Sequence, residues 1–511
     1  MDSNGGTSVD KELMPTTFQS SPGSSPSNPS GITGKLCNWV HATKLSDIPA
    51  DIQVRAKYLI LDGIACGLVA SHLPWSETAA TAIFSMEPTD GADCTIIGWG
   101  AKRLPPLSAA LLNGTFIQGF ELDDYHSAAP LHSSSILLPA LFSAASSTVT
   151  PSHPCSGRDL LLSYIVGCEV GPRVGLALHG LDLLSRGWHS GAIQGPAAAA
   201  AAVSSFLKLS PNQIEDALGI ACTQACGLMS AQFGSMVKRM QHGFAARNGL
   251  FAALMARGGY TGIHEVFETP YGGFLSCFGQ GSVEGDPVPE EIVKDLGTRW
   301  ELERIRVKLH ASMALFHGTI DCIENLQKKY PDKMKVVDSI TMIEVECAKA
   351  TFARACENGG WIATEDEPLT TTAAQMSMQY AASVQLVDGV VLMAQFSEEK
   401  MHRPIIQVLM KKVHPRYNPE FDTAVWRTRV TMRFADGTEY VEDLNAPRGI
   451  DPPVTNEQIV QKWRMLVDGV LEEKRRVAIE ECVLGLENLN DVFPLLELLA
   501  PPVPSPMKTF D

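Results

Sequence analysis

No two of the twelve cysteines form a CxxC pair, and none stands at a spacing from histidine that suits zinc. This argues against a structural zinc site or a dithiol redox centre. The thiols, scattered from Cys37 to Cys482, read as reduced core residues of a reducing compartment. Cys222 and Cys226 read as two small residues on one buried helical stripe. Also missing are GxGxxG and GxxxxGK[ST], so no nucleotide-phosphate loop is expected, and HExxH and GxSxG, which mark zinc peptidases and serine hydrolases. No run of about 18 apolar residues occurs, so no membrane span is expected. Positive charge is scarce: 41 Lys and Arg against 57 Asp and Glu leave a net charge of −16. A nucleic-acid surface is therefore not expected, and any anion site must be built from a few inward-facing cations. The first residues carry Asp2, Asp10 and Glu12 rather than an Arg-rich amphipathic presequence, so the expected location is cytoplasmic.

What is present is an ordinary globular composition over 511 residues, too long for a single core, so two domains are expected. Residues 1–33 are rich in Ser, Pro, Gly and Thr and read as a disordered tail. From 34 to 303 the pattern is helical. Ser210-Pro211-Asn212-Gln213 is a capping box with Pro at the first helical position, Ser156 to Asp159 heads another helix, and the Ala197 to Ala202 run suits close helix packing. Residues 304–445 change character. Ser339 to Cys347 is β-branched, and Arg429 to Val441 alternates around Asp436-Gly437, which suits a tight type I′ hairpin. Helical pattern returns over 446–500 behind a second capping box, Thr455 to Gln458, and 501–511 reads as a short tail. The expected fold is mainly α: a large all-helical domain built from both chain ends, with an inserted α+β lid domain and a ligand cleft between them.

The densest set of titratable groups is Glu121-Leu122-Asp123-Asp124-Tyr125-His126, continuing to His132. Such a cluster can tune proton-transfer groups, and it can equally be a solvated loop whose acids cap the next helix. Asp123 and Asp124 also resemble half of a DDxxD magnesium motif of terpene cyclases, although Ser127 stands where a third acid belongs. Ser235 and Lys238 match SxxK of serine β-lactamases without a KTG partner, and Lys238 reads better as a point charge for a carboxylate. Arg304, Arg306, Lys308, His310 and His317 lie among small and apolar residues at the domain boundary, a pattern for anion recognition or for a snorkelling surface strand. His189, in Trp188-His189-Ser190-Gly191, is a further candidate.

Five stretches, Ala56–Cys66, Glu121–Ser133, Gly187–Gly191, Ala217–Asn248 and Val307–Gly318, resemble the MmgE/PrpD family, and within it the fungal cis-aconitate decarboxylases; the likeness runs from about 36 to 500. The resemblance implies a homodimer, a helical domain with a smaller lid, and a site between them at Glu121, Asp123, Tyr125, His132, His189, Lys238 and Lys308. It implies no cofactor and no metal, because in cis-aconitate the electrons released with CO2 pass into the substrate's own C=C bond. Lys238 and Lys308, with His310 and His317 nearby, would bind a small polycarboxylic acid. His132 would be the general acid and His189 the second choice, with Asp123 or Glu121 orienting it. His310–Ala314 and Gly191–Gly195 depart from the nearest decarboxylases, and Tyr125 stands where animal relatives carry a smaller hydroxyl residue, which makes an alkyl-substituted cis-aconitate an alternative substrate. Dehydration of a 2-methylcitrate-like alcohol is the alternative reaction within the family, and a magnesium-dependent terpene-type cyclase the alternative outside it.

Overall fold

Glycine faces alanine where the longest helices cross, and this lets their backbones approach closely. In the computed structural model of the chain, which describes residues 24–148, 155–357 and 369–507, helix Gly157–Ala177 lies on helix Ser190–Phe206. A Cβ on Gly171 would stand 2.8 Å from the Cβ of Ala198, and one on Gly167 3.0 Å from that of Ala202, so the alanine run serves helix contact. Among the described residues Gly157–Ala177 is by itself the one helix long and apolar enough to cross a membrane, and 89% of its apolar window is buried inside the fold. Helices Pro106–Ile117, Ser133–Thr148 and Val237–Arg257 meet with equal intimacy: a Cβ on Gly114 would come 2.8 Å from the Gly243 Cα and 2.9 Å from the Ser135 carbonyl. Gly114→Val is expected to cost about 1–3 kcal/mol, read as a lower urea midpoint with an unchanged m value.

The capping signals act as read. Ser210 and Gln213 form the box that opens Pro211–Cys222, the Ser156 hydroxyl accepts the Asp159 N–H, and Thr455 with Gln458 opens Asn456–Val467. That last helix packs against Ala50–Ala70 from the far end of the chain and buries Trp463 completely. The body is thus helical and closed by the chain's return, in a mainly α fold with a small sheet domain.

The sheet of the α+β part has strand order Val413–Tyr417, Ile340–Cys347, Thr428–Phe434, Glu439–Leu444; the first pair is parallel and the others antiparallel. Helices His317–Lys329 and Met378–Asp388 pack beside it around a second apolar core that includes Phe316, Ile343, Val430 and Met432. Met378–Asp388 ties this core to the body, because Met378, Ala382 and Leu386 enter the second core while Tyr380, Ala381 and Val384 enter the main one.

Four expectations need correction. Of the tail, residues 1–23 lie outside the described residues, but 24–33 are not free: Ser27 bonds to Glu215 at 2.6 Å, Asn28 to Glu265 at 2.8 Å and the Thr33 N–H to Glu268 at 3.0 Å. Three carboxylates thus capture a segment whose composition alone cannot order it. The hairpin is not a two-residue type I′ turn. The Phe434 N–H bonds to the Thr438 carbonyl, so three residues cross the turn, with only Gly437 left-handed (φ 82°), and the Asp436 carboxylate accepts from the Thr438 N–H and hydroxyl. Helix Pro211–Cys222 ends before Cys226, which is exposed. Of the final stretch, Val503 and Ser505 are buried, and 508–511 lie outside the described residues.

Candidate active site

The acidic segment is a loop between helix Pro106–Ile117 and the two-residue strand Tyr125–His126, and that strand explains how distant residues reach it. Tyr125 and His126 pair antiparallel with Arg306 and Ile305, so the chain delivers Lys308 beside Glu121. Lys308 Nζ lies 2.8 Å from Glu121 Oε2, and Lys238 Nζ contacts the other carboxylate oxygen. All three residues are buried. Glu121 adopts φ 54°, a left-handed conformation that costs a non-glycine residue about 1–2 kcal/mol and persists only where surroundings enforce it.

Next to this clamp, His132 Nδ1 is 3.0 Å from Asp123 Oδ2. Burial alone would raise the Asp123 carboxyl, but His132 and Lys308 outweigh it and hold the group below the usual carboxylate range. His132 immediately precedes helix Ser133–Thr148, His189 precedes Ser190–Phe206, and Lys238 and His242 occupy the first two turns of Val237–Arg257. Their rings converge, with His242 centred 4.8 Å from His132 and 4.9 Å from His189. Three helix N-termini, each a partial positive charge, therefore point at one place, and that favours an anion. Gly191 permits the approach, since a Cβ there would stand 2.4 Å from His242 Nε2.

Protonation follows from burial. His242 is pushed far below the ordinary histidine value by burial and by its His132 and His189 neighbours. The Ser135 hydroxyl donates to the His132 carbonyl, so His242 Nδ1–H donates to Ser135 Oγ (2.9 Å) and His242 Nε2 accepts from the Gln118 amide (3.4 Å). Burial, with His132 adding to it, also lowers His189, to about 3, and its Nδ1 has no hydrogen-bond partner. Burial, Lys308 and Arg239 push Lys238 down, while the Glu121 carboxylate it contacts favours its ammonium form; Lys308 is lowered by burial to about 8. Tyr125, raised by burial, keeps an unpartnered hydroxyl. Its ring lies 6.4 Å from that of His132 and 6.3 Å from Trp426, which comes from the α+β part. In this buried set the His132 side chain retains 14% exposure, so it borders the way in.

Glu121, Asp123, Tyr125, His132, His189, Lys238 and Lys308 are thus gathered in one place. His310 and His317 form a neighbouring cluster instead. His310 Nε2 is 3.0 Å from Asp321, which also binds Arg448 at 2.7 Å, and His317 faces His310 and the Ser312 carbonyl. His317 is buried neutral, lowered by burial and by His310. The DDxxD reading fails in geometry. Asp124 turns away from Asp123 to accept from the N–H and hydroxyl of Ser134, and burial raises its pKa to about 7. Ser235 is exposed while Lys238 is buried, so SxxK forms no dyad. Among the described residues two groups have ligand atoms close enough for a cation: Asp123 with His132 and His242, and His310 with Asp321 and Glu324. In the first the donor atoms already bond to one another or to Ser135, and in the second the Arg448 guanidinium contacts both carboxylates. His242 was not singled out from the sequence; its signal is the i, i+4 spacing from Lys238, which puts both on one helix face.

A helical body, a small sheet domain and a seam of imidazole and lysine side chains are the equipment of an acid–base enzyme. Residues 34–286 match the MmgE/PrpD N-terminal domain and residues 310–488 the MmgE/PrpD C-terminal domain, and the chain belongs to the MmgE/PrpD family. It is 50% identical to the cis-aconitate decarboxylase-like protein oryM of Aspergillus oryzae, over 93% of this chain and 98% of that protein. Identity to a cis-aconitate decarboxylase of Aspergillus terreus is 47%, over 94% and 98%, and to the human cis-aconitate decarboxylase 26%, over 93% and 95%.

Proposed function

We propose that the chain is a carboxy-lyase that converts cis-aconitate, or an alkyl-substituted cis-aconitate, to an itaconate-type acid. The observation that carries this reading is the pair of buried lysines clamped on Glu121 beside the Asp123–His132 pair. Each ammonium has three N–H donors and Glu121 uses one of each, which leaves donors for the retained carboxylates of the substrate. Loss of CO2 from the CH2 arm leaves an allylic carbanion whose charge spreads to the carbon beside a second carboxylate, where the lysines and the helix N-termini stabilise it. His132, its Nδ1–H held by Asp123, delivers the proton from Nε2 to that carbon. Neutral His189 and the Tyr125 hydroxyl act as hydrogen-bonding partners, and His310 and His317 shape the neighbouring wall.

The substrate supplies its own electron sink, so the reading requires neither metal nor organic cofactor. CO2 release from cis-aconitate or its alkyl analogue, followed by NMR, is expected to survive exhaustive EDTA treatment; magnesium-dependent turnover would favour a cyclase. Loss of water from a 2-methylcitrate-like alcohol without CO2 would favour the dehydratase. A homodimer and a cytoplasmic location complete the reading. Exposed Leu228, Phe233, Met236 and Val237 beside the site supply an apolar strip suited to a second subunit, and light scattering of the purified protein tests it.

A further inference from the structure

Six consecutive residues, Gly119 to Asp124, are each held by side chains or a backbone N–H from elsewhere in the chain. The Gly119 carbonyl accepts from Trp75 (3.0 Å) and Arg239 (2.9 Å), and that of Phe120 from Gln375 (2.9 Å). Glu121 takes Lys238 and Lys308, Asp123 takes His132, and Asp124 takes Ser134. Between the two functional acids, the Leu122 carbonyl accepts from Lys462 Nζ at 2.6 Å. Lys462 comes from the returning helix Asn456–Val467, is 3% exposed, and is paired at 2.7 Å with Asp62, which is fully buried on helix Ala50–Ala70.

A buried ion pair is a weak source of stability, because desolvating both charges offsets their attraction, and two well-packed apolar side chains at a helix contact often serve as well. What an apolar side chain lacks is a donor for the Leu122 carbonyl. That carbonyl follows the left-handed Glu121 and precedes Asp123, so a peptide rotated there would swing both carboxylates. We infer that Lys462, seated on Asp62, is a positioning residue: it fixes the Leu122 peptide so that Glu121 meets the two lysines and Asp123 meets His132. The inference rests on the decarboxylase reading for its kinetic test and on geometry alone for its structural one.

The test compares two double variants of the full chain. Asp62→Leu with Lys462→Met removes both charges and the donor. It is expected to keep a thermal midpoint near that of the parent, to lose kcat by at least about tenfold with a smaller change in KM, and in a crystal structure to show the Leu122 carbonyl turned and the Asp123–His132 contact opened. Asp62→Asn with Lys462→Gln removes the charges but keeps an N–H for Leu122, and is expected to retain most of kcat. Parental kcat in the apolar pair, an undisturbed Asp123–His132 contact in its crystal, or an amide pair as inactive as the apolar one would each overturn the inference. If the apolar pair does not fold, the amide pair decides: parental geometry and kcat support positioning, and loss refutes it. A parent protein that releases no CO2 sinks the decarboxylase reading instead, and the crystal comparison still decides the role of Lys462.

Discussion

Replacing His132 by alanine is expected to lower kcat by about 10²- to 10⁴-fold, the usual contribution of a positioned general acid. KM should change much less, because Lys238 and Lys308, proposed to hold the substrate's carboxylates, remain on Glu121. The size of the effect follows from how His132 is held. Asp123 is completely buried and bonds Nδ1, which fixes the ring's orientation, while 14% of the side chain stays accessible. The other two rings cannot readily substitute: burial keeps His189 and His242 neutral, and His242 is engaged at both nitrogens. Asp123→Asn should reproduce part of the loss, since an amide can turn its NH2 to Nδ1 and no longer fixes which ring nitrogen carries the proton. Single-turnover CO2 release separates chemistry from product release. A His132→Ala enzyme with parental kcat would remove this residue from proton delivery.

Much of this site could be read from residue types, and the parts that could not depend on distant contacts. Lys238 and Lys308 stood out because an acidic chain that buries lysine must give it a task, and Asp123 and His132 because they lie nine residues apart in one dense segment. The helical body was legible through Ser210, Ser156 and Thr455, whose capping is a local property. Val413–Tyr417 was not, because Pro415 and its polar neighbours do not read as a strand; an edge position tolerates them. The docking of residues 24–33 depends on Glu215, Glu265 and Glu268, far along the chain. The same holds for the restraint of Gly119–Asp124, whose partners extend from Trp75 to Lys462. His310 and His317 read as site residues by proximity to Lys308, but Asp321 draws His310 into a separate cluster with Arg448, a partner 138 residues further along the chain.

Lys308→Met is expected to reduce kcat/KM by about 10²- to 10³-fold, comparable to removing one donor aimed at developing negative charge. The variant leaves Glu121 with a single cation and would deprive the substrate's anionic carbon framework of a buried point charge. The same lysine sets an alkaline limit. Burial lowers its pKa from an ordinary 10.5 to about 8, so it is cationic below pH 8 and loses its charge as pH rises through that value. Activity should therefore fall on the alkaline side with a midpoint near 8. Stability should move the opposite way over that interval. Between about 8 and 10.5 the unfolded chain binds a proton at this position that the folded chain does not, so the penalty for burying the ammonium is relieved as pH rises. Lys308→Arg, which stays charged throughout, should abolish the limit near 8 whatever its effect on the maximum rate. A kcat/KM profile measured from pH 6 to 10 on both enzymes checks this: an alkaline limb that persists unchanged in Lys308→Arg would assign it to another group and leave Lys308 without its electrostatic role.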